Sequence, residues 1–261
     1  MKVTILGCGG SGGVPLADGT PGGYWGVCDP SNPKNRRRRV SILVEQGETA
    51  ILVDTSPDLR LQLLDSGVSH LDAVLFTHAH ADHCHGLDDL RAMTHRRRGP
   101  IDAYMDAETR ALLTARFAYA FASSCDPKAY YRPIMTDHVI DVIDGPFQVG
   151  AVPVVPFEQG HGAESTLGLR LGNMAYTTDA ASLDESAFAA LAGIRLWVVD
   201  CLRDEPHPTH SWTEQTFAWI ERVRPERAVL THMNHQVDYE DLRRRCPPGV
   251  EPGYDGLVIE V

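Results

Sequence analysis

Residues 78–83 read His-Ala-His-Ala-Asp-His, and they follow the apolar run Ala-Val-Leu-Phe-Thr at residues 73–77. A short apolar run of this kind is typical of a buried strand. Three imidazoles and one carboxylate at the end of a strand would be costly to bury without partners. Because this mixture of donors suits Zn²⁺, Mn²⁺ or Fe²⁺, the hexapeptide predicts a metal site.

The spacing within the hexapeptide favours two adjacent ions over one. His78 and His80 fall on one side of an extended turn, whereas Asp82 and His83 come just beyond it. Four groups shared between neighbouring ions are the arrangement that two-metal hydrolases use. A histidine-rich surface loop is the alternative interpretation, and the further ligand candidates downstream disfavour it.

Size and charge limit the classes of protein that the chain can form. Its 261 residues are 43% apolar, which is enough to bury a full core, and we expect one domain over residues 1–261. The formal charge of −11 disfavours stable binding of nucleic acid or of an anionic membrane. The local exceptions are two basic clusters, Arg36–Arg39 and Arg96–Arg98, which either steer a phosphorylated substrate or are simply solvated.

The cysteines and the first residues indicate the compartment. Six cysteines without a C-x-x-C pair are too sparse for a disulfide framework in a chain of this length. Residues 1–6 run into a glycine-rich turn without the apolar region of a secretory signal, and no later stretch approaches a membrane span. We therefore expect a soluble, cytoplasmic protein.

Strand-like runs alternate with helical patterns in both halves of the chain, which predicts an α/β fold of two mixed β-sheets packed face to face with helices outside. The predicted strands are Lys2–Leu6, Val40–Val44, Ala50–Asp54, Ala73–Thr77, Ala103–Met105, Val139–Val142, Val149–Val155, Leu167–Leu171, Met174–Thr177, Leu196–Val199, Ala228–Leu230 and Gly256–Val261. The predicted helices are Asp58–Ser66, Leu87–His95, Ala107–Ala122, Leu183–Ala192 and Ser211–Val223, the last with a capping box of Ser211 and Glu214. Residues 8–39 form the longest irregular stretch, which is typical of a functional loop.

Three further ligand candidates lie at strand ends or in turns. His161 follows the strand-like residues 152–157, Asp179 closes residues 174–177, and His232 closes residues 228–230. Alone, each is more commonly a turn or core-edge residue. Together, and in this order after the hexapeptide, they predict a completed site.

With these residues in this order, the chain resembles the metallo-β-lactamase superfamily over nearly its whole length. The resemblance implies an αββα sandwich with a dinuclear site along one edge, holding two divalent ions per chain, Zn²⁺ or Mn²⁺ with Fe²⁺ as a further option. The implied ligands are His78, His80 and His161 for the first ion, Asp82, His83 and His232 for the second, and Asp179 as the bridge.

Four further segments resemble the PhnP-like branch of that superfamily, the phosphoribosyl cyclic phosphodiesterases. They are residues 7–15 (Gly-Cys-Gly-Gly-Ser-Gly-Gly-Val-Pro), 35–37 (Asn-Arg-Arg), 206–211 (Pro-His-Pro-Thr-His-Ser) and 230–235 (Leu-Thr-His-Met-Asn-His). This resemblance implies that metal-bound hydroxide hydrolyses a small cyclic ribose or nucleotide phosphate. It also favours a homodimer.

The resemblance assigns roles beyond metal binding. His210 is expected to protonate the leaving alkoxide, His207 is its rival, and Asp82 belongs with them in the catalytic group. Substrate contacts are expected from Ser11, Arg36 and Arg37.

Two more residues are expected to support the ligands. Asp54 matches an early aspartate of the superfamily that orients a ligand imidazole through its free N–H, although a plain turn aspartate is an equal alternative. His235 is expected beside it in a supporting role.

The chain departs from the PhnP-like pattern at an additional zinc site. That branch carries a C-x-C-x-x-C cluster and a late histidine, whereas this chain keeps only Cys28, with His235 as the late partner. Two of four ligands do not close a structural zinc site. We therefore expect no structural zinc at Cys28, and a loop held by packing of Tyr24 and Trp25.

Other functions remain as alternatives. A G-x-G-x-x-G match at Gly7, Gly9 and Gly12 lacks the helix that dinucleotide binding requires, so we reject it. A thiol nucleophile at Cys84 or Cys201 lacks an evident base. The remaining alternatives are a tRNA 3′-processing endoribonuclease and a non-catalytic metal-fold protein of cofactor biosynthesis.

Overall fold

The strands form two seven-stranded sheets in the computed structural model, which describes residues 1–122 and 132–261. The first sheet contains β1 (Lys2–Gly7), β2 (Ser41–Gln46), β3 (Thr49–Val53), β4 (Ala73–Leu75), β5 (Ile101–Met105), β6 (Met135–Val139) and β14 (Val258–Glu260). The second contains β7 (Phe147–Val149), β8 (Val152–His161), β9 (Glu164–Leu171), β10 (Met174–Thr177), β11 (Leu196–Asp200), β12 (Arg227–Thr231) and β13 (Val250–Pro252).

Helices cover the outer faces of both sheets. The α-helices are α1 (Leu59–Ser66), α2 (Ala81–Cys84), α3 (Arg91–Arg97), α4 (Ala107–Arg116), α5 (Glu185–Leu191), α6 (Thr213–Val223) and α7 (Tyr239–Arg245). Short 3₁₀ helices occupy Pro33–Asn35, Leu87–Leu90, Ala118–Ala120 and Val142–Asp144. This is the αββα sandwich expected from the sequence.

Parallel strands bring the ends of several chain segments to one edge. The first sheet has the order β14-β1-β2-β3-β4-β5-β6 and is parallel from β3 to β6. The second has the order β13-β12-β11-β10-β9-β8-β7 and is parallel from β10 to β13. Because carboxyl ends of parallel strands share an edge, the residues that follow β3, β4, β10, β11 and β12 are brought close together.

Alternation along the strands separates two apolar layers. Ile42 and Val44 of β2 face the second sheet and belong to the cluster between the sheets, whereas Leu43 belongs to the cluster under the helices of the first sheet. All three are buried, and each such side chain contributes about 1.5–3 kcal/mol to the free energy of unfolding. The site therefore rests on a sandwich that is packed on both sides of its first sheet.

Most predicted strands and helices are present with shifted ends, and the exceptions have local causes. The strand predicted at Val139–Val142 lies earlier, at β6, because Asp141 caps the following 3₁₀ helix by accepting a hydrogen bond from the Ile143 amide at 3.0 Å. The helices α2 and α7 and the strands β7 and β13 were not predicted.

The capping box predicted for Ser211 and Glu214 is wrong. The helix α6 begins at Thr213, after Trp212. The Ser211 hydroxyl instead donates to the Asp200 carbonyl at 2.6 Å. The Ser211 hydroxyl is therefore engaged in a buried hydrogen bond to a distant residue and does not cap the helix.

The cysteines that the structure describes are free thiols, namely Cys8, Cys28, Cys84, Cys201 and Cys246, and Cys125 lies outside the described residues. None of the helices in residues 1–122 and 132–261 has the length and apolar composition that a bilayer crossing requires.

Candidate metal centre

The hexapeptide changes conformation halfway along its length. After β4, the chain stays extended as far as His80, which has φ −66° and ψ 153° and precedes the first residue of α2. Asp82 and His83 lie in the single turn of α2, and both are buried. The two halves of the motif therefore project from different backbone structures, as their spacing indicated.

Residues from the ends of four strands, β4, β8, β10 and β12, meet at this point and form two clusters. In each cluster, the atoms that could bind metal lie within 4.8 Å of one another. The clusters are His78, His80, His161 and Asp179 on one side, and Asp82, His83 and His232 on the other.

Asp179 lies between the clusters and faces each with a different oxygen. Its Oδ1 is 3.8 Å from Nε2 of His78 and 4.0 Å from Nε2 of His161. Its Oδ2 is 3.1 Å from Nε2 of His83 and 3.4 Å from Nε2 of His232. One carboxylate can thus contribute an oxygen to each of two neighbouring positions.

Hydrogen bonds at the opposite ring nitrogens orient most of these imidazoles. His83 Nδ1 lies 2.7 Å from Asp54 Oδ2, and His161 Nδ1 lies 2.7 Å from the Thr209 carbonyl oxygen. His78 Nδ1 lies 3.0 Å from the Thr77 hydroxyl. In each case Nε2 is turned towards the clusters, which is how ligand imidazoles are held in metal sites.

Asp54 is itself fixed by the strand end that carries the hexapeptide. Its Oδ1 accepts the Thr77 amide and its Oδ2 accepts the Thr77 hydroxyl, both at 2.9 Å. Asp54 is completely buried. It therefore contacts a ligand candidate and not solvent, in the arrangement that the sequence suggested for it.

Three site residues adopt left-handed backbone conformations. Asp54 has φ 62°, Asp179 has φ 55° and His232 has φ 60°. Such conformations cost on the order of 1 kcal/mol in residues other than glycine and concentrate at functional sites. In the part of the chain that the structure describes, the other two such residues, Arg98 and Arg224, are helix C-caps.

The carboxylates of the site give it a negative charge when its histidines are neutral. Burial opposes protonation of His83 and His232, yet the neighbouring aspartates, Asp179 above all, raise the pKa of His83 well above its ordinary value and that of His232 to about 9. Burial instead lowers the pKa of His78 and His161. The half of the site around Asp82 and Asp179 therefore favours a positive charge.

The residues present fit a divalent cation. Nε2 of His78, His83 and His232 is buried without a hydrogen-bond partner. Buried polar atoms without partners are costly, and a metal ion is the partner that accepts imidazole nitrogen and carboxylate oxygen at once. The donor set and the excess of carboxylate charge point to the same occupant.

His210 contacts the clusters directly, whereas His207 lies at their rim. His210 Nε2 is 3.8 Å from Asp179 Oδ1, and its ring stacks on that of His232 with centroids 4.6 Å apart. The His207 ring is 5.1 Å from that of His210, and its Nδ1 accepts the Thr209 amide at 3.3 Å. Of the two rivals, His210 is better placed to reach a reacting atom.

Sequence reasoning missed Asp200, which is completely buried behind these histidines. Its Oδ2 accepts the Ser211 amide at 3.0 Å and lies 3.4 Å from His210 Nδ1, while its Oδ1 lies 3.7 Å from His232 Nδ1. Its position at the end of β11 parallels that of Asp179 beyond β10, and this repeated strand-end aspartate was the available signal.

The irregular segment of residues 8–39, the early loop, comes close to the site at Gly10. A side chain at Gly10 would meet the His232 carbonyl oxygen at 3.3 Å, so a larger residue there would require the backbone beside His232 to shift by a few tenths of an ångström. Ser11, the next residue, is exposed beside it. Arg36 is exposed as well, but its guanidinium lies over the Trp25 ring, 5.0 Å from the ring centroid.

Arg37, for which a substrate contact was expected, is directed into the protein. The side chain is 2% exposed, and its guanidinium donates to the Asn234 carbonyl at 2.8 Å and to Asn35 Oδ1 at 3.2 Å. Arg37 thus ties the early loop to the segment that follows His232. A sequence pattern of charge does not reveal such an inward orientation.

The loop around Cys28 has both ring contacts and a buried thiol. Tyr24 is 45% exposed and Trp25 lies under the Arg36 guanidinium, while the buried Cys28 thiol donates to the Val237 carbonyl at 3.2 Å. The His235 ring lies against Tyr24, with centroids 5.4 Å apart, and not against a ligand imidazole. The supporting role expected for His235 therefore stays a prediction, since the contact seen for its ring is with Tyr24.

Similar sequences and structures come from metal-dependent hydrolases and from longer proteins. A family model described as the β-lactamase superfamily domain matches residues 49–233. A solved structure described as a new diphosphatase from the PhnP family is 30% identical, with a TM-score of 0.87, and the match covers 99% of this chain and 96% of that one.

Two curated relatives are similar in sequence. A protein of Porphyromonas gingivalis named octanoyltransferase is 33% identical over 98% of this chain and 51% of its own length. A ribonuclease Z of Nocardia farcinica is 28% identical over 53% of this chain and 47% of its own length. The matches thus span about half the length of these relatives.

Proposed function

The chain belongs to the β-lactamase superfamily, in its PhnP-like branch, and on that premise we propose that it is a metal-dependent phosphoric diester hydrolase. Its proposed substrate is a small cyclic ribose or nucleotide phosphate. Two divalent ions would be held by His78, His80 and His161 and by Asp82, His83 and His232, with Asp179 shared between them.

The position of Asp179 is the observation that carries this proposal. A carboxylate with one oxygen towards each cluster suits a pair of ions, and two-metal sites are a recurring solution to phosphoryl hydrolysis. When bound, such ions activate water and neutralise charge on the phosphoryl oxygens. Both tasks are needed because a phosphodiester repels an approaching anion.

The chain's own residues would handle the leaving group. Opening a cyclic diester releases an alkoxide, which requires a proton. His210 would donate it from Nε2, the nitrogen that faces Asp179 Oδ1 at 3.8 Å. Asp200, 3.4 Å from the opposite nitrogen, would orient the ring and stabilise its protonated form.

Thiol-dependent acyl transfer is disfavoured at the cysteines nearest the site. Burial raises the pKa of Cys84 to about 11 and that of Cys201 to about 12. A nucleophilic cysteine requires the opposite shift. The name of the Porphyromonas gingivalis relative, which is about twice as long, therefore finds no support in these two thiols.

A substrate panel tests the proposal. Purified protein loaded with Zn²⁺ or Mn²⁺ would be assayed on ribose 1,2-cyclic phosphate, 2′,3′-cyclic nucleotides and bis-aryl phosphates, with thioesters and β-lactams as controls. We expect hydrolysis of the cyclic phosphates and its loss in a His210→Ala variant. Activity confined to thioesters or lactams would refute the proposal.

A second candidate, a tRNA 3′-processing endoribonuclease, is supported by the similarity to ribonuclease Z over about half of the chain. It is disfavoured by the net charge of −11, because tRNA binding relies on a basic surface. Cleavage of a precursor tRNA by the same preparation, with a steep salt dependence, would favour this candidate over the cyclic phosphodiesterase.

A further inference from the structure

His80 is the metal-ligand candidate that packing holds least. Its side chain is 46% exposed, whereas those of His78, His161 and His232 are no more than 7% exposed. His78, His83 and His161 also have a hydrogen-bond partner at Nδ1, whereas Nδ1 of His232 has only the Asp200 carboxylate at 3.7 Å. Among the described residues, no hydrogen-bond partner is found for Nδ1 of His80.

The Glu164 carboxylate lies 3.4 Å from His80 Nε2, but Glu164 is 65% exposed, so the backbone around His80 contributes much of the orientation of the ring. The carbonyl groups of Ala79 and His80, on either side of this ring, accept hydrogen bonds. The Cys84 thiol donates to the His80 carbonyl at 3.1 Å and weakly to the Ala79 carbonyl at 3.5 Å. The His83 amide also donates to the His80 carbonyl at 3.1 Å, but the Ala79 carbonyl receives only the thiol from within this segment, and thiols are weak donors.

The strong donor to this loop is Arg116, in the last turn of α4. Its Nη1 donates to the Ala79 carbonyl, and the guanidinium lies beside the Cys84 sulfur. A hydrogen bond from a charged donor is roughly twice as strong as a neutral one. The carbonyl that receives it lies between two ligand candidates, His78 and His80.

The chain that follows α4 strengthens this contact. The Tyr119 hydroxyl donates to Asp88, in the 3₁₀ helix just beyond the hexapeptide. Arg91, which is 2.9 Å from Asp88, also lies over the Tyr119 ring. The end of α4 is thus attached both before and after α2, and Arg116 has little freedom to leave the loop.

We infer that Arg116 is a positioning residue for the first metal site, which holds His80 in its ligating orientation through the Ala79 carbonyl. The inference rests on the proposed metal site, and it assigns to a guanidinium on α4 the role that Asp54 has for His83. Arg116 contacts the backbone of the loop and none of the proposed ligand side chains.

Zinc titration of metal-free protein tests the inference. Isothermal calorimetry with Zn²⁺ would compare the wild type with Arg116→Ala, Arg116→Lys and Arg110→Ala. Arg110 is the matched control, since it lies on the same helix but pairs with Asp137 in β6 at 2.6 Å. Loss of a group that orients a ligand typically weakens metal binding about 10–100-fold.

We expect Arg116→Ala to weaken Zn²⁺ binding at one site about ten-fold and to leave the other unchanged, with partial recovery in Arg116→Lys. Unfolding of the metal-free variants, followed by circular dichroism, separates this loss from failure to fold. Wild-type affinity in Arg116→Ala, or an equal loss in Arg110→Ala, would overturn the inference alone. A wild type that binds no Zn²⁺ would overturn the proposed function as well.

Discussion

Asp54 Oδ2 lies 2.7 Å from His83 Nδ1, and both side chains are fully buried. This contact holds the histidine with Nε2 towards Asp82 and Asp179. We predict that Asp54→Asn weakens binding of one metal ion about 10–100-fold, because the amide no longer fixes the ring nor raises its basicity. Asparagine tolerates the left-handed backbone at this position, so the variant should fold.

The control for this variant is Asp102→Asn. Asp102 Oδ1 lies 2.8 Å from His138 Nε2, but this pair is exposed and remote from the clusters. Metal titration of both variants should show a loss only for Asp54→Asn. Equal affinities in the wild type and Asp54→Asn would mean that Asp54 has no orienting role.

Asp200 and His210 are predicted to act as one unit. Under saturating metal, Asp200→Asn should lower kcat about ten-fold or more with little change in KM, because general acid catalysis contributes about 10²–10⁴-fold. The double variant with His210→Ala should be no slower than His210→Ala alone, since coupled residues are not additive. Steady-state kinetics with a responsive substrate measures this, and multiplicative losses would show that the residues act independently.

The apolar side chains packed between the first sheet and its helices are predicted to contribute much of the free energy of unfolding. Leu52 is completely buried there, so Leu52→Ala should lower the free energy of unfolding by about 2–5 kcal/mol through lost contacts and a cavity. Leu64→Ala is the control, because that side chain is 63% exposed. Urea unfolding should show a change within about 0.5 kcal/mol for the control, and comparable losses in both would contradict the packing described.

Asp255 makes stability depend on pH. Burial raises the pKa of its carboxyl from 3.8 to about 6, although the amides of Arg38 and Cys8 donate to it. The folded state therefore retains this proton more strongly than the unfolded state. Its stabilising contribution is complete below about pH 4 and is lost as the pH rises through about 6.

The free energy of unfolding of the wild type should therefore fall between about pH 4 and pH 7 when it is compared with that of an Asp255→Asn variant. A rise of the pKa from 3.8 to about 6 limits this fall to about 3 kcal/mol. Asp18→Asn is the opposite control, because the Thr20 amide lowers the pKa of the Asp18 carboxyl and the stability it adds is lost as the pH falls. Urea unfolding from about pH 3 to pH 7 measures both slopes, because the contribution of Asp18 is lost only as the pH falls below 3.8. A difference between wild type and Asp255→Asn that is constant with pH would contradict the prediction.

The fold and the metal-ligand candidates could be predicted because both follow from local patterns in the sequence. Apolar runs mark the strands, and ligand-type residues stand at their ends, where parallel strands converge. The spacing of the hexapeptide separates His78 and His80 from Asp82 and His83, although the helix α2 that carries the second pair was not predicted. No knowledge of distant contacts was required for these inferences.

The remaining features depend on contacts between distant segments. Asp200 is a single aspartate in the sequence, and its role depends on its contacts with His210 and His232. Only the fold brings these residues together. Arg37 belongs to a basic cluster, and the inward turn of its side chain is determined by the Asn234 carbonyl. Sequence charge cannot distinguish a buried guanidinium from a solvated one.

The central claim is that Asp179 is shared by two metal ions. Metal content per chain, measured by inductively coupled plasma mass spectrometry after equilibration with Zn²⁺ and removal of free ion, tests it most directly. The account predicts two ions in the wild type and fewer in Asp179→Ala, with Asp102→Asn unchanged. One ion or none in the wild type, or two retained by Asp179→Ala, would contradict it.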